Sequence, residues 1–209
     1  MRQVICDDAI RWLASADLSG CSLITSLPDV SETQLSLGAW QPWFVEAARL
    51  CIERCPSDGV AIFFQSDVKK AGAWIDKGYL CQRGAEAAGA RLLWHKVVCR
   101  VKPGSVTFGR AAYSHLLAFS RGLKLDLARA TPDVLPDAGP MTWNRAIGLH
   151  ACRLACRYVK EHTHSRTIVD PFCGWGTVLA VANQLGLDAI GVELNARRAR
   201  KARALEVPG

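Results

Sequence analysis

Residues 167–195 read TIVDPFCGWGTVLAVANQLGLDAIGVELN. A short apolar run, Thr167-Ile168-Val169, ends at Asp170-Pro171, where proline can donate no ladder hydrogen bond and so closes a strand. Gly174 and Gly176 follow, and glycines there let the backbone bend sharply and bring main-chain N–H groups close to a ligand. The pattern from Thr177 to about Leu185 predicts a helix whose positive end faces the same spot, and Gly186 stops it. A second apolar run, Ala189-Ile190-Gly191-Val192, ends in Glu193, which places a carboxylate at the carboxyl edge of the neighbouring strand. Glu193 stands 17 positions after Gly176, close to the ~20 at which an acid meets ribose hydroxyls in a strand-turn-helix-strand unit. The layout is that of a nucleotide site suited to an adenosine moiety. The glycines form only G-x-G, without a third glycine, and a tight turn with a surface Glu would read the same way.

The wording of the bend adds to this. Asp170-Pro171-Phe172-Cys173-Gly174-Trp175-Gly176-Thr177 closely resembles the DPF-x-G-x-GT loop of S-adenosylmethionine-dependent amino-methyltransferases, which methylate exocyclic amines of bases in DNA and RNA. The resemblance implies an α/β fold with a Rossmann-like class I methyltransferase sheet and S-adenosyl-L-methionine as cofactor. It also implies cofactor contacts from Asp170, Pro171, Phe172, Cys173, Gly174, Gly176, Thr177, Glu193 and Leu194.

With 209 residues, half of them hydrophobic, the chain can bury one substantial core, and a single domain over 1–209 is the default expectation. No apolar run approaches the ~18 residues that cross a bilayer, and MRQVICDDAI lacks the pattern of a signal peptide, which implies a cytosolic protein. Nine cysteines is an odd number with scattered spacing. Cys51/Cys55 and Cys152/Cys156 are i, i+4 pairs in helical patterns, better read as buried reduced thiols than as zinc ligands, so no metal is expected. The net charge of +7 favours a polyanionic partner. Arg197, Arg198, Arg200, Lys201 and Arg203 cluster after Glu193, whereas Lys69, Lys70, Arg100, Lys102, Arg110, Arg121 and Lys124 dot the middle. The C-terminal cluster reads equally as a solvated helix face.

From the N-terminus, Gln3-Val4-Ile5-Cys6 reads as a strand ending in Asp7-Asp8, followed by an amphipathic helix with Ile10, Trp12 and Leu13. In the resembling family a strand with an acidic end lies beside the cofactor adenine, so Asp7 or Asp8 takes that role by resemblance, and either would equally serve as a helix cap. Cys21–Thr25 is the next strand, ending in Ser26-Leu27-Pro28-Asp29. This position matches the family's (D/N/S)-P-P-(Y/F/W) catalytic loop, whose polar side chain and prolyl-side carbonyl accept hydrogen bonds from the target amine. Leu27 replaces the first proline and Asp29 the aromatic. Ser26, Leu27, Pro28 and Asp29 are thus the candidate catalytic group, with the stacking platform to come from elsewhere, Trp40 or Trp43 being available. Asp29 adds a carboxylate able to take a proton or hydrogen-bond the acceptor.

A helical pattern runs from Ser31-Glu32 to about Cys55, and Gly59–Gln65 reads as a buried parallel strand. Asp67–Lys70 is expected to lead into a helix holding Gly72, Trp74 and Ile75. Leu92–Val98 and Ser114–Ser120, joined through Lys102-Pro103-Gly104, predict an antiparallel pair at the sheet edge, and His95 and His115 read as strand residues rather than catalysts. Residues 125–140 read as an irregular loop with three prolines. A helix is expected from Met141–Asn144 to about Lys160, and by resemblance its start, Thr142, Trp143 and Asn144, covers the methionine end of the cofactor.

A catalytic-loop half (1–124) thus precedes a cofactor half (141–209), which resembles a circular permutation of the methyltransferase order. No insertion large enough for a separate DNA-recognition domain is visible, and a folded RNA can be recognised by shape and an extruded base. A methyltransferase modifying a base in tRNA or rRNA is therefore the leading expectation. The alternatives are a DNA amino-methyltransferase, a methyltransferase of a small molecule or protein, and a non-catalytic cofactor-fold binding protein. Nucleic acid is the expected partner, no membrane is involved, and a homodimer stays open.

Overall fold

Strands and helices alternate along most of the chain, and the strands assemble side by side into one sheet with helices on both faces. The computed structural model describes residues 1–209. The strands are β1 (Arg2–Ile5), β2 (Cys21–Thr25), β3 (Ala61–Gln65), β4 (Val68–Lys70), β5 (Ala73–Ile75), β6 (Arg91–Cys99), β7 (Tyr113–Ser120), β8 (Val134–Leu135), β9 (Thr167–Asp170) and β10 (Asp188–Val192). The helices are α1 (Ala9–Ser15), α2 (Leu37–Arg54), α3 (Lys77–Ala87), α4 (Leu149–His162), α5 (Thr177–Gln184) and α6 (Ala196–Ala204). Across the main sheet the order is β1-β10-β9-β2-β3-β7-β6-β8, with β4 and β5 forming a separate ribbon. Strands β1, β10, β9, β2 and β3 run parallel, and β7 is antiparallel to both β3 and β6.

Side-chain alternation along these strands builds two cores. Ile24, Ile62, Leu116 and Ile168 face α4, α5 and α6, while Leu23, Phe63, Leu117 and Val169 face α1, α2 and α3. The strands are apolar on both faces because both faces are covered. Chain order and sheet order differ: the unit β9-α5-β10 comes last in sequence but lies between β1 and β2, so Arg2 pairs with Ala189 and Ile5 with Val192. At this seam the Met1 amine forms an ion pair with Asp188 at the start of β10. All nine thiols are unpaired and, apart from Cys6, buried. No helix is long and apolar enough to cross a membrane.

Four segments differ from the sequence-based expectation. The long helix begins at Leu37 rather than Ser31, because Asp29 and Glu32 form a reciprocal capping box on a single 3₁₀ turn (Val30–Glu32) and Ser36 caps the helix proper. Residues 68–75 form a ribbon, not a helix, since Ala71 (φ 51°) and Gly72 (φ 74°) both take left-handed backbone and close a tight turn. The predicted loop at 125–140 contains a 3₁₀ turn (Leu127–Arg129) and β8, which pairs with β6 on its outer side, so that β8 and not the expected antiparallel β6–β7 pair forms the sheet edge. Finally, α4 starts at Leu149 and not near Met141. Gly148 packs so tightly against the Ala138 carbonyl that an added Cβ would meet it at 2.1 Å.

Candidate active site

The carboxyl ends of the five parallel strands share one edge of the sheet. Strands β9 and β2 are neighbours there, yet the chain leaves β9 through α5 toward β10 and leaves β2 through α2 toward β3, on opposite faces. A crevice opens where neighbouring connections diverge in this way, and ligands of open α/β sheets bind in it. A cleft of about 770 Å³ lies at this point. Its wall includes Asp170, Pro171, Phe172, Cys173, Gly174, Thr177, Glu193 and Leu194, all expected from sequence, together with Trp43, Ile147, Asn195 and Arg198.

Two carboxylates define its polar side. Asp170 is buried, and its Oδ1 accepts from the Thr25 hydroxyl at 2.7 Å and the Phe172 N–H at 3.2 Å. Burial, against those two hydrogen bonds and with the nearby Glu193 charge, pushes its carboxyl up to about 7. Glu193 is raised as well, first by burial, against donation from the Asn195 N–H at 2.8 Å and the Arg198 charge. Acids held this way in a cleft are poised for a cationic or hydroxyl-bearing ligand.

The glycines of the bend have different duties. At Gly174 (φ 56°) an added Cβ would lie 2.9 Å from the Trp143 ring, so glycine lets that ring close over the bend. Gly176 (φ 84°) does not line the cleft; its Cβ would strike Ala202 at 2.9 Å, so it admits α6 instead. Trp143 stacks on Trp175 with centroids 5.2 Å apart, and the Arg198 guanidinium and Lys201 ammonium cover the pair. Part of the C-terminal basic cluster is thereby engaged on aromatic faces.

The structure separates other predicted residues from this cleft. Asp8 lines it while capping α1, whereas Asp7 lies outside and is held by Arg11. Thr142 is also outside, its hydroxyl 2.6 Å from that of Thr177, and Asn144 lines a second cavity. Trp40 is fully buried with its indole N–H on the Pro28 carbonyl at 3.1 Å, so of Trp40 and Trp43 only Trp43, edge-on to Phe172, faces the cleft, which Trp143 also lines as expected.

The second cavity, of about 210 Å³, is lined by Ser26, Leu27, Asp29, Phe64, Gln65, Ser66, Lys77, Arg100 and Arg110 among others. Ser26 lines both cavities, which meet at the end of β2. Asp29 is buried and its carboxylate accepts from Lys77 Nζ and Ser31 N–H, each at 3.1 Å. Burial would raise Asp29, but the Lys77 ammonium prevails and holds it below the ordinary carboxylate range. The structure therefore uses Asp29 as an anchor for the loop rather than as an open proton acceptor. Gln65, read from sequence only as the last residue of a strand, lines the same cavity with both carboxamide atoms buried and unpartnered. Only its place at the end of a strand hinted at it.

His115 is buried, its Nε2 lying 3.0 Å from both Asp67 oxygens and its Nδ1 2.9 Å from His95. Asp67, Asp76 and His115 offer donor atoms close enough to hold a cation, but Asp67 already accepts from Trp74 and from the Lys77 N–H.

The fold is that of the S-adenosylmethionine-dependent methyltransferases. In sequence, the profile of the N6/N4 methyltransferase family, described as DNA methylase, matches residues 152–204, from α4 through the glycine bend to α6. In structure the chain is similar to TTHA0409 from Thermus thermophilus, provisionally assigned as a DNA modification methylase. The TM-score is 0.77 at 20% identity, covering 100% of this chain and 97% of that one. The complex of TTHA0409 with S-adenosyl-L-methionine gives 0.72 at 19% identity, covering 97% and 91%. PvuII DNA methyltransferase, cytosine-N4-specific, gives 0.76 at 15% identity, covering 98% and 86%. No curated protein sequence matches the chain.

Proposed function

We propose that the protein is an S-adenosylmethionine-dependent amino-methyltransferase that acts on a base of DNA and whose chain order is a circular permutation within a single domain. The observation that carries the reading is the meeting of two cavities at Ser26, one built of a glycine bend and two acids, the other small and polar. The lining of the larger cleft fits the cofactor: Glu193 for ribose hydroxyls, Asp170 facing a cationic group, and Trp43 with Phe172 for an apolar ring. Bound there, the cofactor supplies an electrophilic methyl group on a sulfonium.

The chain's own work is positioning. The Ser26 side chain and Leu27 carbonyl accept the N–H bonds of the exocyclic amine, turning its lone pair toward the larger cleft. Lys77 and Asp29 fix that loop through a buried ion pair. Walls that hold both reactants in line supply most of the rate, as positioning does generally. The amine proton leaves to solvent through the open mouth, since Asp29 is already committed to Lys77.

DNA is favoured over the RNA expected from sequence. That expectation rested on the lack of a recognition insertion, but TTHA0409 is matched over 97% of its length by a chain without one. The family profile is also that of DNA methylases. The test is incubation with methyl-labelled cofactor and unmethylated DNA, tRNA and rRNA, followed by nucleoside mass spectrometry. Label in an exocyclic amine of DNA is expected, and label confined to RNA would overturn the DNA reading.

A further inference from the structure

The mouth of the smaller cavity carries a feature that its chemistry does not require. The ribbon β4–β5 and the loop between β6 and β7 (residues 100–112) are built as one unit. Val68 bridges Arg110, the Lys69 N–H donates to the Gly109 carbonyl at 3.1 Å, and Lys69 Nζ donates to the Thr107 carbonyl at 2.8 Å. These bonds flank Phe108 on both sides, yet its ring is 84% exposed. Trp74 and Val106 of the same unit are exposed as well, so Phe108 is not a lone apolar side chain on this surface, and exposed apolar surface rimmed by polar groups marks interaction sites. The surroundings are cationic: Lys70, Arg100, Lys102 and Arg110 are exposed on the same unit, while its acids are the buried Asp67 and the cap residue Asp76. Arg100 and Arg110 also line the cavity, so the unit stands at its entrance.

We propose that this unit is the surface on which duplex DNA docks, with Phe108 entering the base stack where the target nucleotide leaves it. The inference rests on the DNA reading above. A base buried in a duplex cannot reach a cavity at the sheet edge unless it is extruded, and unstacking it costs a few kcal/mol. An aromatic ring that stacks on the neighbouring bases offsets such a cost by ~1–3 kcal/mol per base, and lysine or arginine contacts to phosphate fix the register. This unit presents both within reach of one cavity, and it does so without a separate recognition domain.

The test uses the full chain, wild type, Phe108→Ala and the double variant Lys70→Ala/Lys102→Ala, with cofactor affinity and Tm checked first. Binding of a labelled mixed-sequence duplex is measured by anisotropy across salt concentrations. Each phosphate contact contributes about 0.9 to the slope of log K against log salt, so the double variant should lower that slope by about 2. Phe108→Ala should slow methyl transfer to duplex roughly 10-fold or more while leaving transfer to the separated strands unchanged, since those need no extrusion. An unchanged slope in the double variant, or undiminished duplex transfer in Phe108→Ala, overturns the surface while DNA methylation itself stands. Wild-type transfer to RNA alone overturns the substrate reading and the DNA assignment of this surface with it.

Discussion

Asp170 should cost the cofactor-free protein stability as pH rises from about 4 to neutrality. Its carboxyl titrates near 7 in the folded chain because burial penalises the charge, against 3.8 as its ordinary value. The folded state thus holds a proton that the unfolded state has released over that interval, so the contribution of Asp170 is fully present below pH 4, is lost between about 4 and 7, and levels above. Three pKa units correspond to roughly 4 kcal/mol, an upper bound for one carboxylate that relaxation of the site would reduce. Asp170→Asn keeps an acceptor for the Thr25 hydroxyl and the Phe172 N–H but cannot ionise. Urea unfolding at a series of pH values should show the variant gaining on wild type by a few kcal/mol between pH 4 and 8. Parallel curves for the two proteins would refute the burial argument.

Other consequences can be measured independently. Glu193→Ala removes a charged acceptor and should weaken cofactor binding about 10- to 150-fold, from ~1.5–3 kcal/mol per such bond; unchanged affinity by calorimetry would contradict its ribose role. Lys77→Met strands the buried Asp29 carboxylate and should cost about 3–5 kcal/mol by chemical unfolding, with a shift near zero as the contrary result. Gln65→Leu removes two unpartnered buried amide atoms and should stabilise the free protein by about 1 kcal/mol while lowering methyl transfer. A stabilised variant with full transfer would remove Gln65 from the site.

The glycine-bend unit was legible because its signals are local: Pro171 ends a strand, Gly186 ends a helix, and Glu193 follows an apolar run. The antiparallel β6–β7 pair was legible for the same reason, as two apolar runs without a helix between them. Helix starts at Leu37 and Leu149 were not, since apolar spacing continues into stretches whose capping and tight backbone contacts decide otherwise. The ribbon at 68–75 was hidden by an Ala-Gly turn in which alanine takes left-handed backbone that its sequence does not advertise. Asp29 and Lys77 are 48 positions apart, so no reading of SLPD alone could show that its acid is spoken for. Gln65 was missed because a polar strand end looks ordinary until its partners are counted.

The reading as a whole depends on S-adenosylmethionine lying in the cleft at the carboxyl ends of β2, β9 and β10. Calorimetric titration of the cofactor into the wild-type chain tests this most directly. A saturable one-to-one isotherm that Glu193→Ala weakens is the expected result, and the absence of any binding to the folded wild-type protein would contradict it.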